Sequence, residues 1–134
     1  MSNAFFKVPT AVNEPVKSYA PGSSERKIVK AALASLKSTQ VDIPMFIGGK
    51  KVFTNNKKSI HPPHELSHTL GTYSVGTQDH VKQAIDAALA AKEQWANMPW
   101  QDRAAIFLKA ADLLAGPYRA TMNAATMLGQ SKNI

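Results

Sequence analysis

Cysteine is absent from this chain of 134 residues. That excludes disulfides, thiolate metal sites and a thiol nucleophile carried on these residues. Long apolar runs are also missing: no stretch approaches the ~18 to 20 apolar residues a membrane-spanning helix needs. Aromatics make up only 7% and do not interleave with the basic residues. The opening MSNAFFKVPT has no basic stretch followed by an apolar one, so no secretory signal is expected and the cytoplasm is the expected location. Within it, Ser2-Asn3-Ala4 reads equally well as a cloning remnant or as native sequence. Acidic residues are the minority, 9 against 16 Lys and Arg, for a net charge of +7. The bases are dispersed, in Lys27/Lys30, Lys50/Lys51 and Lys57/Lys58. Such scatter, with no nucleic-acid motif around it, reads as a solvated face rather than a nucleic-acid surface.

What is present suits a globular domain: 44% apolar and 19% charged residues. Residues 1–21 hold Pro9, Pro15 and Pro21 with little periodicity, so they read as an extended arm that needs a surface to lie on. The rest, 22–134, reads as a helix, a small antiparallel sheet over about 44–76, and a three-helix segment over 77–134. The first helix follows Gly22-Ser23 and runs to about Lys37, with Ser23 as N-cap, Glu25 at its positive end, and Ile28, Ala32, Leu33 and Leu36 on one face. Pro44 marks the next boundary. Met45-Phe46-Ile47 and Lys51-Val52-Phe53 flank Gly48-Gly49, a hairpin signal. Asn55-Asn56-Lys57-Lys58 reads as a second turn, and Thr69 to Val75 as a third strand weakened by Gly71.

Thr77 is the expected cap of a helix in which Val81, Ala84, Ile85, Ala88 and Trp95 recur at helical spacing up to Asn97. Pro99 suits the first position of the next helix, whose stripe is Trp100, Ala104, Phe107, Leu108, Ala111 and Leu114. Gly116 is placed as its C-cap. Pro117 then starts a last helix with Met122, Ala125 and Leu128 inward. These stripes have no later partner in the chain, so they are expected to meet the rest of a larger polypeptide or, failing that, another copy.

Three clusters invite a chemical reading. His61, His64 and His68, with Glu65, supply zinc-type ligands, but Pro62-Pro63 stiffens the loop and the spacing fits no structural zinc pattern. Gly48-Gly49-Lys50-Lys51 lacks the following helix that a phosphate loop needs. Asp102 and Arg103 open a helix beside Trp100, where an Arg commonly pairs with a carboxylate to join packed elements. No Ser/His/Asp set, carboxylate pair or GxGxxG is present. No catalytic, cofactor-binding or metal-ligating residue is therefore assigned to this chain.

Trp95-x7-Arg103 followed by Ile106-Phe107-Leu108-Lys109-Ala110-Ala111-Asp112 resembles the early helices of the aldehyde dehydrogenase superfamily. Asn13-Glu14-Pro15-Val16, Gly22-Ser23-Ser24-Glu25-Arg26, Ala115-Gly116-Pro117-Tyr118-Arg119 and Thr126-Met127-Leu128-Gly129-Gln130-Ser131-Lys132 resemble its 1-pyrroline-5-carboxylate dehydrogenase branch. That resemblance implies the N-terminal part of the α/β cofactor-binding domain, mostly α with a small antiparallel sheet and without the dinucleotide-binding fold. It also implies a longer enzyme that oxidises L-glutamate γ-semialdehyde to glutamate with NAD, in proline breakdown. The Cys nucleophile, Glu base, oxyanion-stabilising Asn and NAD-binding fold of that branch match no position here. The chain is expected to be an inactive N-terminal scaffold fragment, without NAD of its own, whose partner is the rest of the parent polypeptide. A eukaryotic source implies the mitochondrial matrix. The alternative is a stand-alone, non-enzymatic interaction module built from the same segment.

Overall fold

The computed structural model describes residue 5 and residues 7–134; the two readings of Ser2-Asn3-Ala4 lie outside the described residues. After the arm comes α1 (Ser24–Ser38), then five short strands: β1 (Val41–Ile43), β2 (Met45–Ile47), β3 (Lys50–Val52), β4 (Lys57–Ile60) and β5 (Gly71–Ser74). Three helices follow, α2 (Gln78–Asn97), α3 (Trp100–Ala115) and α4 (Arg119–Gln130). Among the described residues no helix is long and apolar enough to cross a membrane.

The first helix starts where its cap dictates. The Ser23 side chain accepts from the Arg26 amide at 3.3 Å, satisfying one of the donors left free at a helix start. Its inner face is centred one residue later than the pattern of aliphatics implies: Val29 is buried at 2% exposure while Ile28 is exposed. α1 packs against α4, where Ala124 and Leu128 are the buried residues. The expectation for α4 is thus corrected. Leu128 points inward, but Met122 and Ala125 are exposed. The helix does have a partner in its own chain, an earlier element rather than a later one. Small Ala124 lets the two backbones approach, and burying side chains such as Val29 and Leu128 contributes about 1.5 to 3 kcal/mol each.

The strands depart further from expectation. They form two sheets, a β2–β3 hairpin and a three-stranded sheet ordered β1-β5-β4. The hairpin is the one expected, with Gly48 and Gly49 at φ 56° and 76° in the turn. The larger sheet is mixed, not antiparallel: β4 runs antiparallel to β5, but β1 runs parallel to it. Lys57-Lys58, read as turn, open β4, and β1 went unseen because three residues carry no readable period. Pairing to β5 organises both. On the sheet face, Thr72 donates to one oxygen of Asp42 at 3.0 Å and Lys57 holds the other. Gly71, expected to weaken its strand, is required there. A Cβ at that position would lie 2.1 Å from the Val41 carbonyl oxygen, so only glycine lets β1 come alongside.

The helix ends shift slightly as well. Pro99 is the N-cap of α3 rather than its first helical residue. Gly116 caps α3 as expected, but Pro117 lies in the turn and α4 begins at Arg119. The amides of Gly116 and Tyr118 bond back to the carbonyls of Asp112 and Leu113, each at 3.0 Å, which delays the new helix. The stripes of α2 and α3 are not covered: neither helix has a buried residue, and Phe107 is 66% exposed.

Candidate functional site

Two assemblies bring together side chains that lie far apart in sequence. The first ties the arm to the α1–α4 pair. Tyr19 has a left-handed backbone, φ 50°, unusual for a bulky residue. Its carbonyl accepts from the Arg26 guanidinium on α1 at 3.3 Å, and its phenol oxygen accepts from Asn123 Nδ2 on α4 at 3.0 Å. Four residues earlier, Arg119 donates to the Pro15 carbonyl at 2.9 Å, with Glu14 at 3.8 Å. Between the arm and the α3–α4 junction runs a groove of about 550 Å³, lined by Val12, Glu14, Ala111, Leu114 and Met122 among others.

The second assembly is the histidine loop. Each imidazole is engaged with a different element. His61 Nδ1–H donates to the His68 carbonyl at 2.9 Å, closing the loop on itself. His68 Nε2–H donates to the Lys37 carbonyl at 2.9 Å, satisfying an acceptor at the end of α1. His64 Nδ1 lies 2.8 Å from Ser131 Oγ, just past the end of α4. Glu65, expected beside the histidines as a possible ligand, pairs with Lys37, and that hydrogen bond holds its carboxyl below the usual carboxylate range. Among the described residues no group of three His, Cys, Asp or Glu is placed to hold a metal ion. The loop is a staple between the C-terminal ends of α1 and α4.

Sequence reading missed the His64–Ser131 contact, because the partners are 67 residues apart and neither carries a local signal. A serine beside a histidine suggests nucleophile and base. Among the described residues, however, no carboxylate is hydrogen-bonded to the ring, so the third group that orients such a pair is missing. Lys50 opens β3, so Gly48-Gly49-Lys50-Lys51 is a hairpin turn between strands. Arg103 does not pair as expected: among the described residues no carboxylate forms an ion pair with it, and its Nε is buried without a hydrogen-bond partner. The residues also do not fit a nicotinamide dinucleotide. Among the described residues, the one strand that leads directly into a long helix does so through Gly76-Thr77, where the Thr77 amide is already engaged by His80 at 3.1 Å and a single glycine replaces the glycine-rich turn.

Comparison with known proteins gives a consistent result. The aldehyde dehydrogenase family matches residues 52–134. Delta-1-pyrroline-5-carboxylate dehydrogenase of Agaricus bisporus is 50% identical, over 97% of this chain and 24% of its own length. The mitochondrial Delta-1-pyrroline-5-carboxylate dehydrogenase of Dictyostelium discoideum is 40% identical, over 95% of this chain and 23% of its own. The crystal structure of Delta-pyrroline-5-carboxylate dehydrogenase from Mycobacterium tuberculosis, bound with NAD, superposes with a TM-score of 0.92 at 44% identity, covering 96% of this chain and 24% of that one. The chain spans about a quarter of the length of the curated relatives it matches.

Proposed function

Since this chain belongs to the aldehyde dehydrogenase family, we propose that it is the N-terminal scaffold of an enzyme that oxidises L-glutamate γ-semialdehyde to glutamate with NAD. The observation that carries the proposal is the 50% identity, sustained over 97% of the chain, to a relative named for that activity. Oxidation of an aldehyde in this family's manner requires a thiolate to attack the carbonyl carbon before hydride leaves. This chain has no Cys. In this reading the thiolate, the general base and the dinucleotide fold come from other parts of the polypeptide, and the chain alone neither binds NAD nor turns over substrate. Its own residues hold geometry: the arm and the histidine loop lock α1 to α4, α3 packs on α4, and α2 rests on β2.

The exposed stripes of α2 and α3 supply the reason for a partner. Val81, Ile85, Leu89, Ile106 and Phe107 are all more than half exposed, and apolar faces of that extent mark interaction sites. We assign them to the remainder of the dehydrogenase polypeptide, and to another copy of this chain where that remainder is absent. Light scattering should then show association that rises with concentration and weakens in Phe107→Lys; a monomer at every concentration would refute it. Relatives named mitochondrial, such as that of Dictyostelium discoideum, make the mitochondrial matrix our reading for a eukaryotic source and the cytoplasm otherwise. A stand-alone interaction module is not favoured, because the relatives share one enzymatic name.

A chimera tests the proposal. This chain replaces the matched segment of the Agaricus bisporus relative, and NADH formation is followed with 1-pyrroline-5-carboxylate. Activity in the chimera, lost when the segment is deleted, is the expected result. A folded chimera that binds NAD yet does not oxidise this substrate would overturn it.

A further inference from the structure

The backbone amides of the turn between α3 and α4 make short-range bonds. Gly116 and Tyr118 amides reach back to Asp112 and Leu113, and the Arg119 amide reaches Gly116 at 3.2 Å. Because α3 has no buried residue of its own, these bonds fix its direction only weakly. The first residue of α4 does more. Arg119 sends its guanidinium across the turn to the Pro15 carbonyl, 104 residues away in sequence, at 2.9 Å, and its side chain is 14% exposed. The arm is pinned a second time at Tyr19, whose left-handed backbone is held by one bond to α1 and one to α4. Between these two pins and the last turns of α3, arm residues Val12 and Glu14 face Ala111 and Leu114 across one groove.

We propose that Arg119 is the clasp through which the N-terminal arm fixes the α3–α4 elbow, so that the arm decides where the exposed stripe of α3 points. A guanidinium donating to a carbonyl from a largely covered position is a charge-assisted bond and stronger than a neutral one. The accompanying Glu14 contact is longer, its acid is half exposed, and water screens it, so it adds little. The described residues of the arm are otherwise exposed, so the two pins account for its place. The inference rests on contacts within this chain and does not depend on the enzymatic reading.

The absence of cysteine makes the test direct. Spin labels on Lys30→Cys in α1 and Lys109→Cys in α3, both exposed, report one distance in the full chain, diluted into unlabelled chain to suppress contacts between copies. A single narrow distance distribution is expected with Arg119 in place, and its loss to a broad one in Arg119→Gln. Glu14→Gln should leave it narrow. If Arg119→Gln fails to fold, deletion of residues 1–16 decides: it keeps α1, α4 and Arg119 but removes the Pro15 acceptor, and should broaden the distribution equally. A distribution that stays narrow in the folded Arg119→Gln chain, or in the arm deletion, overturns the proposal.

Discussion

The pair α1–α4 and the pair α2–α3 are written in similar language and meet opposite fates. Both are amphipathic, both are rich in alanine, and both carry aliphatic side chains at helical spacing. Yet Val29 is 2% exposed and Phe107 is 66% exposed. The difference lies in what surrounds each pair. α1 and α4, separated in sequence by both sheets and two helices, are brought face to face by the arm on one end and the histidine loop on the other. α2 and α3 follow one another directly, pack little on the rest of the chain, and keep their stripes outward. An amphipathic stripe records that a face needs covering; it does not record what covers it.

The largest effect expected from this contrast is on stability. Leu128→Ala opens a cavity in the packed pair and should cost about 2 to 5 kcal/mol in chemical denaturation. Phe107→Ala, although a larger truncation, should stay within about 0.5 kcal/mol in the same measurement on the dilute monomer. Equal losses would erase the distinction between the two regions. Next comes Gly71→Ala. The new Cβ has no room beside Val41, and relieving the clash should cost about 1 to 3 kcal/mol by forcing β1 off the sheet. Amide exchange should rise at β1 while the β2–β3 hairpin is unaffected.

A cap comparison sharpens the contrast at smaller scale. Ser23→Ala removes the acceptor for the Arg26 amide, and should lower global stability by about 1 kcal/mol because α1 belongs to the packed core. Thr77→Ala should fray the start of α2, visible as local amide exchange, without moving the global midpoint. The smallest effect is acidic. Lys37 holds the Glu65 carboxyl below its ordinary value, and Lys57 does the same for Asp42. Because these folded values are depressed, their contribution is present above the ordinary carboxylate range and is lost as pH falls through the folded values. Both acids are at the surface, so the loss should be slight. Glu65→Gln should remove its part of the acid dependence, and an unchanged acid limb in that variant would show that the pair contributes nothing.

Helix positions were legible because they rest on local chemistry: the Ser23 cap, the Gly116 stop and the Thr77 start each act within one turn of themselves. The Gly48-Gly49 hairpin was legible for the same reason, since two residues that tolerate positive φ are enough to reverse a chain. The strands Val41–Ile43 and Lys57–Ile60 were not, because neither has a pattern of its own and each exists by pairing with β5. The candidate site divides the same way. That His61, His64 and His68 form a group was plain from their spacing, but their separate engagements with His68, Ser131 and Lys37 were not. Arg103 was expected to find a carboxylate, and among the described residues none forms an ion pair with it.

The sequence by itself determined the number of long helices, where each begins to within about two residues, the absence of a thiol, and the resemblance that names the family; the last helix, expected to run to Ile134, ends at Gln130. Those follow from backbone sterics, capping and residue identity, which act over a few positions or none. Only the tertiary structure decided that β1 lies parallel to β5 with Gly71 between them. It also decided that α4 covers α1, and that Arg119 and Tyr19 hold the arm. Each of these joins groups from about 30 to 104 residues apart. Such contacts depend on the whole path of the chain between their ends, and no local pattern encodes that path.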